Sequence, residues 1–501
     1  MAEGLQINLD RRQGEPLYQQ ITRQVRAKIV AGDLSPGQRL PTERSLAQKL
    51  GVHRNTIVSA YAELEADGLI TSHVGRGTFV AQRELPAERP VVWSELFAQR
   101  LRRLDEAYFR ELARHSSRPG VISLAGATPA PELLPTKHFT QVLQEVLRRH
   151  GQAVLEPSTR EGHGPLREWI AQDLQCRGAV VGAENVVILS GNQQGLSLLA
   201  QVLLDPGDPV LVEAPTYLGG LRVLGLAEAV LWGVPMDSGG LLVDVLQELL
   251  LRRRPKLIYT QPTFQNPTGA TLGRERREHL LAAAGAAAVP VVEDDPYGAL
   301  YYGAPPPPAL KALDRSGRVV YLGTFSKVLA PGLRIGYLVG PEPLLHQLVL
   351  ARGIQDLHSN TPAQWAAAEF CAQGYLDEHL EAVRPLYRRR RDALAEALHK
   401  YLPEGQFALP EGGFNLWLEM PEGWRALDLF RLAAERGMVF VVGESCYPSG
   451  GNERCLRLNF SAQPEEVLVE AVKRLAAAAR ELARHGRSKE TQLNTATRPI
   501  V

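Results

Sequence analysis

Cysteine is scarce in this chain. There are four in 501 residues, Cys176, Cys371, Cys446 and Cys455, and no two form a Cys-x-x-Cys pair. That argues against a disulfide framework or a thiolate metal site and suits a reducing compartment. Long apolar runs are missing too. No stretch reaches the roughly 18 residues of a membrane-spanning helix, and the N-terminus MAEGLQINLDRR has no apolar signal core. The expected location is the cytoplasm. A large charge of one sign is also missing. Net charge is +1, so the chain is no polycation, and a nucleic-acid contact must come from a local patch. What is present is a 45% hydrophobic, 22% charged composition, that of a globular protein. The length is too great for a single core, so two or more domains are expected.

The first eighty residues carry their own pattern. Leu17, Ile21, Val25, Ile29 and Val30 repeat at helical spacing between Pro16 and Gly32. After the Ser35-Pro36-Gly37 turn, Thr42 can cap a helix over 43–50, which Gly51 ends. A third helix runs from Arg54 to Asp67 with Ile57, Ala60, Tyr61 and Leu64 on its buried face. Leu69-Ile70-Thr71 and Thr78-Phe79-Val80 flank a Gly75-Arg76-Gly77 tip and predict a two-stranded wing. This is the plan of a winged helix-turn-helix. Arg54, Asn55 and Thr56 open the third helix, from which base edges in a major groove are read. Arg39 and Arg44 can hold phosphates, and Arg76 suits the DNA backbone or minor groove. Thr42 and Gly77 complete the candidate DNA-contacting set. A polar, proline-bearing linker follows over 81–92. A helix is expected from Ser94 to His115, assigned to the next domain.

The rest of the chain turns on GTFSKVLAPGLRIGY, Gly323 to Tyr337. Lys327 sits there in a small polar turn and can form a Schiff base with an aldehyde. Thr324 and Ser326 offer hydroxyls, and Arg334 a two-pronged cation, to a phosphate. Together they describe a seat for pyridoxal phosphate. Other words fit. The strand Val186 to Leu189 runs into Ser190-Gly191-Asn192-Gln193, a glycine turn before a helix that can aim N–H groups at an anion. Tyr217 follows the strand 209–213 and can stack on a flat ring. Asn266-Pro267-Thr268-Gly269 fixes an amide at a strand end. Val289 to Val292 empties into Asp294, which can keep a pyridine nitrogen protonated, and Tyr297, which can hydrogen-bond a ring oxygen. Strands alternate with helices throughout, which predicts a mainly parallel central sheet with ligands at strand C-terminal ends.

The head, through LYQQITRQVRAKIVAGDLSPGQRLPTERSLAQKLGVHRNTIVSAYAELEADGLI and GRGTFV, resembles the GntR family of bacterial regulators over nearly all of residues 14 to 81. That resemblance implies binding to double-stranded DNA as a dimer. From Trp93 to Leu482 the chain resembles fold-type I, class I/II aminotransferases, above all the branch of 2-aminoadipate and multi-substrate enzymes. The resemblance makes Lys327 the Schiff-base lysine and pairs Asp294 with the ring nitrogen. It assigns Asn266 and Tyr297 to the ring hydroxyl, Tyr217 to stacking, and Asn192, Gln193, Thr324, Ser326 and Arg334 to the phosphate. Arg457, in Leu456-Arg457-Leu458-Asn459-Phe460-Ser461, matches the arginine that grips a substrate α-carboxylate, and Arg110 is assigned a distal carboxylate. Gly412 to Trp417 opens a small C-terminal α+β subdomain. One feature departs from the pattern: Leu155 to Gly162 holds no tyrosine, where such enzymes donate one across the dimer to the neighbour's phosphate.

A winged helix fused to an aminotransferase-like domain resembles the MocR subgroup of GntR regulators. The expected layout is a head over 1–80, a linker over 81–92, a pyridoxal-phosphate-binding α/β domain over 93–484 and a disordered tail over 485–501. The expected function is a homodimeric, cofactor-dependent transcription factor that senses pyridoxal phosphate, an amino acid, or both. The alternative is a working aminotransferase for 2-aminoadipate- or glutamate-like substrates and 2-oxoglutarate, with Lys327, Asp294 and Tyr297 as its catalytic set. No metal is expected.

Overall fold

A computed structural model describes residues 5–11, 15–73, 75–82, 91–103 and 107–496. Most of the expected linker, part of the expected helix over 94–115 and the last five residues of the expected tail fall outside these. The chain forms two compact units, Met1–Phe97 and Ala98–Val501.

The first unit has three helices, α1 Leu17–Val30, α2 Glu43–Leu50 and α3 Arg54–Ala66, and two strands, β1 Ile70–His73 and β2 Gly77–Val80. Thr42 starts α2 as expected, its Oγ1 accepting from the Ser45 N–H at 3.3 Å. Gly51 ends α2 in the left-handed region, at φ 62° and ψ 39°. His53 caps α3 through Nδ1, which accepts from the Asn55 N–H at 3.3 Å. Ile21, Val25, Leu46, Ile57, Ala60 and Leu64 pack into one core with Ile70 and Val80 from the wing. The wing is an antiparallel hairpin in the register Ile70↔Val80 and His73↔Gly77. Val30 is 77% exposed. It lies one residue past Ile29, about 100° around the helix, and so leaves the buried stripe to which the periodicity assigned it.

The second unit contains β3 Ile122–Ser123, β4 Val186–Leu189, β5 Pro209–Ala214, β6 Val230–Asp237, β7 Gly240–Leu241, β8 Leu257–Thr260, β9 Val291–Asp295, β10 Val319–Thr324, β11 Gly336–Val339, β12 Asn415–Glu419, β13 Met438–Val439, β14 Val441–Val442 and β15 Cys455–Asn459. Eight of them form one mixed sheet in the order β4-β11-β10-β9-β8-β5-β6-β7. The ladder from β10 through β9, β8 and β5 to β6 is parallel. β7 runs antiparallel to β6, and β11 antiparallel to both β10 and β4. The mainly parallel expectation therefore holds, with two reversed strands. Strand β4 is buried on both faces: Val187 and Leu189 join one core, Val186 and Ile188 the other. That two-residue alternation is why its run is continuously apolar. A smaller sheet, β12-β15-β14, forms the C-terminal part.

Two expectations are corrected. The helix foreseen over 94–115 is broken into Trp93–Leu96, a 3₁₀ turn Gln99–Arg103 and Ala107–Ser116. Phe97 interrupts it with extended backbone, φ −65° and ψ 136°. The tail foreseen as disordered from 485 instead carries helical backbone as far as Ala496, where the helix Glu465–Ala496 ends. Lys, Glu, Gln, Leu and Ala there are good helix formers, and extending an existing helix avoids the cost of nucleating one.

Candidate cofactor site and nucleic-acid interface

The sheet's C-terminal edge gathers the chemistry. Ser190 and Gly191 follow β4, Tyr217 follows β5, Gln261 and Asn266 follow β8, Asp294 lies near the end of β9, and Thr324 ends β10 just before Lys327. Strand β11 is reversed, so its N-terminal end brings Arg334 to the same edge. From the small sheet, β15 contributes Arg457. All of these but Ser190 line one cavity of about 260 Å³, together with Asn192, Gln193, Tyr297 and Ser326. Eleven of the twelve residues expected at the cofactor and substrate site meet there. Arg110 does not. It is exposed on the helix Ala107–Ser116. Tyr108 and Leu112 on that helix pack against the core, and Arg110 points elsewhere because it falls between them in the helical turn.

Lys327 donates from Nζ to the Ala127 carbonyl at 2.6 Å. Burial, helped by the nearby Arg457 and Arg334 cations, lowers its pKa to about 8, against the pull of Asp294. A lysine so placed holds a usable fraction of free amine near neutrality. Asp294 is buried and accepts three hydrogen bonds. Asn192 Nδ2 donates to Oδ1 at 2.6 Å, and Tyr259 OH and Gln261 Nε2 donate to Oδ2 at 2.7 and 2.6 Å. Burial pushes the carboxyl above its usual range even so. Strand alternation turns its neighbours away: Asp295 accepts from Tyr321 OH at 2.9 Å, and Glu293 from the Leu310 and Lys311 N–H groups, both at 2.8 Å.

Arg334 and Gly191 form one corner. Arg334 has left-handed backbone at φ 53°. Its Nη2 donates to the Ser190 carbonyl at 3.0 Å, and its Nη1 reaches Ser326 Oγ at 3.5 Å. Gly191 has φ 97°, and a Cβ there would lie 2.6 Å from Arg334 Nη2. Glycine is required on both counts. Gly191 precedes the helix Asn192–Leu203, which has no side-chain cap and whose first two residues line the cavity. The side chains of Asn192 and Gln193 are engaged elsewhere: Asn192 Nδ2 donates to Asp294, while Gln193 donates to the Gly219 carbonyl at 3.1 Å and accepts from Tyr217 OH at 3.2 Å. The groups expected to meet an anion are their backbone N–H groups. Thr324 Oγ1 donates to the Ile335 carbonyl at 3.2 Å and accepts from the Ser326 N–H at 3.1 Å, which shapes the turn before Lys327.

Arg457 is buried; its Nη1 donates to Asn266 Oδ1 at 2.8 Å and its Nη2 to the Ala125 carbonyl. Arg457 Nε and Asn192 Oδ1 are buried without a partner. Tyr297 is buried, its hydroxyl accepts from Asn415 Nδ2 at 3.5 Å, and burial raises its pKa to about 12. At the position without a tyrosine, Gly162 has φ 103°, and the Glu161 carbonyl accepts from the Ile188 N–H at 2.8 Å. Sequence reasoning missed Tyr259 and Gln261. Both looked like ordinary residues of an apolar strand, and only their contacts mark them out.

In the first unit, Arg39, Arg44, Arg54, Asn55 and Arg76 are exposed, as a DNA-contacting set must be. Arg54 is not free. Its Nη2 and Nε meet Glu43 Oε2 at 2.9 and 3.2 Å, pinning the start of α3 to the start of α2. Gly77 has φ 110°, and a Cβ would sit 2.8 Å from Arg39 Nε, so the arginine lies across the wing at a place only glycine leaves open.

Known proteins match along both units. Residues 17–80 match the model of bacterial regulatory proteins of the gntR family, and residues 129–475 that of aminotransferase class I and II. The regulatory protein named MocR, probably of rhizopine catabolism, from Rhizobium meliloti is 33% identical over 79% of this chain and 80% of its own length. The chain belongs to the MocR subgroup of the gntR family. The HTH-type transcriptional regulator YisV of Bacillus subtilis is 32% identical over 94% of this chain and 98% of its own, so it matches both units of this MocR-type chain. The α-aminoadipate aminotransferase LysN of Thermus thermophilus, solved with N-(5′-phosphopyridoxyl)-L-leucine, superposes at TM-score 0.74 with 37% identity, over 79% of this chain and all of that one. Class I and II aminotransferase domains use pyridoxal phosphate. The cavity fits that group: an amine in reach, a supported carboxylate, N–H groups beside Arg334, and a spare buried donor and acceptor on Arg457 and Asn192. The gntR head makes the protein a DNA-binding one. Among the described residues no helix is long and apolar enough to cross a membrane.

Proposed function

We propose that this regulator works as a cytoplasmic homodimer that binds a promoter operator and senses pyridoxal phosphate together with an amino acid. The observation that carries the reading is the convergence of Lys327, Asp294, Arg334 and Arg457 on one cavity, in a chain that begins with a winged helix. Bound there, the cofactor supplies an aldehyde for amines and a ring that withdraws electrons. The chain's residues do the rest. Lys327 offers the amine. Arg334, Ser326 and the N–H groups of Asn192 and Gln193 hold the phosphate. Asp294 holds a proton on the ring nitrogen, Tyr297 and Asn266 take the ring hydroxyl, and Tyr217 covers the ring face. Arg457 takes the amino acid's α-carboxylate as a bidentate partner.

Ligand recognition competes with existing bonds. Lys327 and Arg457 spend donors on the carbonyls of Ala127 and Ala125, both on one segment. An effector that takes those donors frees the segment, and a difference of this kind between two states lets a ligand shift an equilibrium. The second reading is an aminotransferase acting on dicarboxylic amino acids. It is favoured by the 37% identity to the aminoadipate enzyme and by the complete set of amine, carboxylate and arginine. Operator affinity measured with and without pyridoxal phosphate, across amino acids including glutamate and 2-aminoadipate, decides. A change of roughly 5- to 150-fold for one combination is expected. Unchanged affinity throughout, with fast single-turnover conversion of an amino acid to its 2-oxo acid, would replace the sensor by the enzyme.

A further inference from the structure

Gln261 has been given no role in holding a ligand, yet its side chain makes three hydrogen bonds at the cavity wall. It is buried, 2% exposed, just past the end of β8. Its Nε2 donates to Asp294 Oδ2 at 2.6 Å and reaches Tyr259 OH at 3.3 Å. Its Oε1 accepts from the Asn266 N–H at 3.0 Å, and its own N–H donates to Glu213 Oε1 at 3.1 Å. Asn266 Oδ1 in turn accepts from Arg457 Nη1 at 2.8 Å. One amide thus lies between the carboxylate that faces the ring nitrogen and the asparagine that steadies the carboxylate-gripping arginine.

We infer that Gln261 is a positioning residue that ties Asp294 to the Asn266–Arg457 pair, so that the grip on the ring and the grip on an amino acid's carboxylate are set by one side chain. The two ends of its amide do different work. The NH₂ end fixes Asp294 and strengthens its ionised form. The carbonyl end holds the Asn266 backbone, and so the side chain against which Arg457 is braced. No other residue type supplies both with the same reach: methionine supplies neither, and ionised glutamate keeps the acceptor while losing the donor.

The inference rests on the cofactor reading above, so wild-type protein comes first. If it takes up no pyridoxal phosphate, that reading fails and nothing is learned against Gln261. If it does, full-length Gln261→Met and Gln261→Glu are compared with it by three readouts: cofactor affinity, the pH midpoint of the bound cofactor's visible absorption band, and the concentration of L-glutamate that perturbs the band. In both variants cofactor affinity should drop about tenfold or more, the loss of a hydrogen bond to a charged group. The band midpoint should rise by about one unit, because a less firmly held ring proton withdraws less charge. Glutamate should bind more weakly in Gln261→Met and close to normally in Gln261→Glu, which keeps the acceptor for Asn266. Tyr259→Phe removes a hydroxyl from Asp294 Oδ2 and from the NH₂ end of Gln261 but leaves the Gln261 carbonyl on the Asn266 N–H; should Gln261→Met fail to fold, it serves with Gln261→Glu, and it should move the band midpoint without moving glutamate binding. A lowered thermal midpoint with all three cofactor readouts unchanged would reduce Gln261 to ordinary core and overturn the inference. So would equal loss of glutamate binding in the Met and Glu variants, or a change in it in Tyr259→Phe.

Discussion

The lowered pKa of Lys327 can be tested by the pH dependence of cofactor attachment. Only the free amine attacks an aldehyde, so the rate should rise with pH and level off above the lysine's own pKa. With that value at about 8, roughly 9% of the amine is free at pH 7. At the ordinary value of 10.5 about 0.03% would be free, some 300-fold less. Burial is the main cause, followed by Arg457 and then Arg334, with Asp294 opposing. Removing a cation therefore raises the midpoint, and removing the carboxylate lowers it further. The assay is the growth of the visible band after mixing cofactor-free protein with pyridoxal phosphate between pH 6 and 10. Wild type should give a midpoint near 8, Arg457→Ala a higher one, and Asp294→Asn a lower one. The same group makes stability depend on pH. Between about 8 and 10.5 the unfolded chain binds a proton that the folded chain does not, so this lysine makes the cofactor-free protein more stable as pH rises through that window. A wild-type attachment midpoint near 10, unmoved in Arg457→Ala, would refute the account of the cavity as a desolvated, cation-rich site.

The remaining predictions concern the head and the carboxylate grip. Arg54→Ala should cost roughly 1–3 kcal/mol of operator binding and relax base preference in gel shifts, if its guanidinium contacts a base pair, whereas Glu43→Gln, which releases that guanidinium, should tighten binding and change head stability by at most about 1 kcal/mol. Gly77→Ala forces a side chain onto left-handed backbone against Arg39, so thermal unfolding should show a loss of about 1–2 kcal/mol, with weaker binding to all DNA sequences alike. Arg457→Ala should blunt any amino-acid effect on operator affinity while leaving the cofactor-bound protein yellow, which an absorbance spectrum beside a binding titration checks.

Much of this was legible before the structure, for physical reasons that differ by element. The head could be read almost to the residue. Thr42 and Gly51 punctuate it, and Ile57, Ala60, Tyr61 and Leu64 repeat at a period that only a helix buries on one face. Lys327 and Arg334 could be paired because few residues separate them, and Asp294 stood out as charge directly after a buried run. What stayed hidden were choices made by tertiary contact. Nothing local to Asn192 says that its amide turns to a carboxylate 102 positions away. Nor does spacing reveal that Tyr259 and Gln261 serve that same carboxylate, since tyrosine and glutamine in a strand are usually packing and edge residues. Arg110 was misplaced because an arginine's position on a helix gives no address unless the neighbours that face inward are known. The break at Phe97 has no local signal of its own.

The same contacts bear on the sensing role proposed above. In the described structure two of the cavity's cations are already engaged, Lys327 with the Ala127 carbonyl and Arg457 with that of Ala125. The Ser461 hydroxyl donates to Thr128 O close by, so residues 125–128 are held from both sheets' side chains at once. Upstream, the Ile122 N–H bonds Gly437 and that of Leu124 bonds Val439, both at 2.8 Å, which ties the segment to the small sheet's neighbourhood. A ligand that takes only the lysine releases one end of this segment. A ligand that also brings a carboxylate releases the other. The two events remove different bonds from one short stretch of backbone, so their effects need not add, and non-additivity between neighbours sharing partners is the usual result. A regulator gains a means of distinguishing cofactor alone from cofactor with an amino acid, without a second binding site.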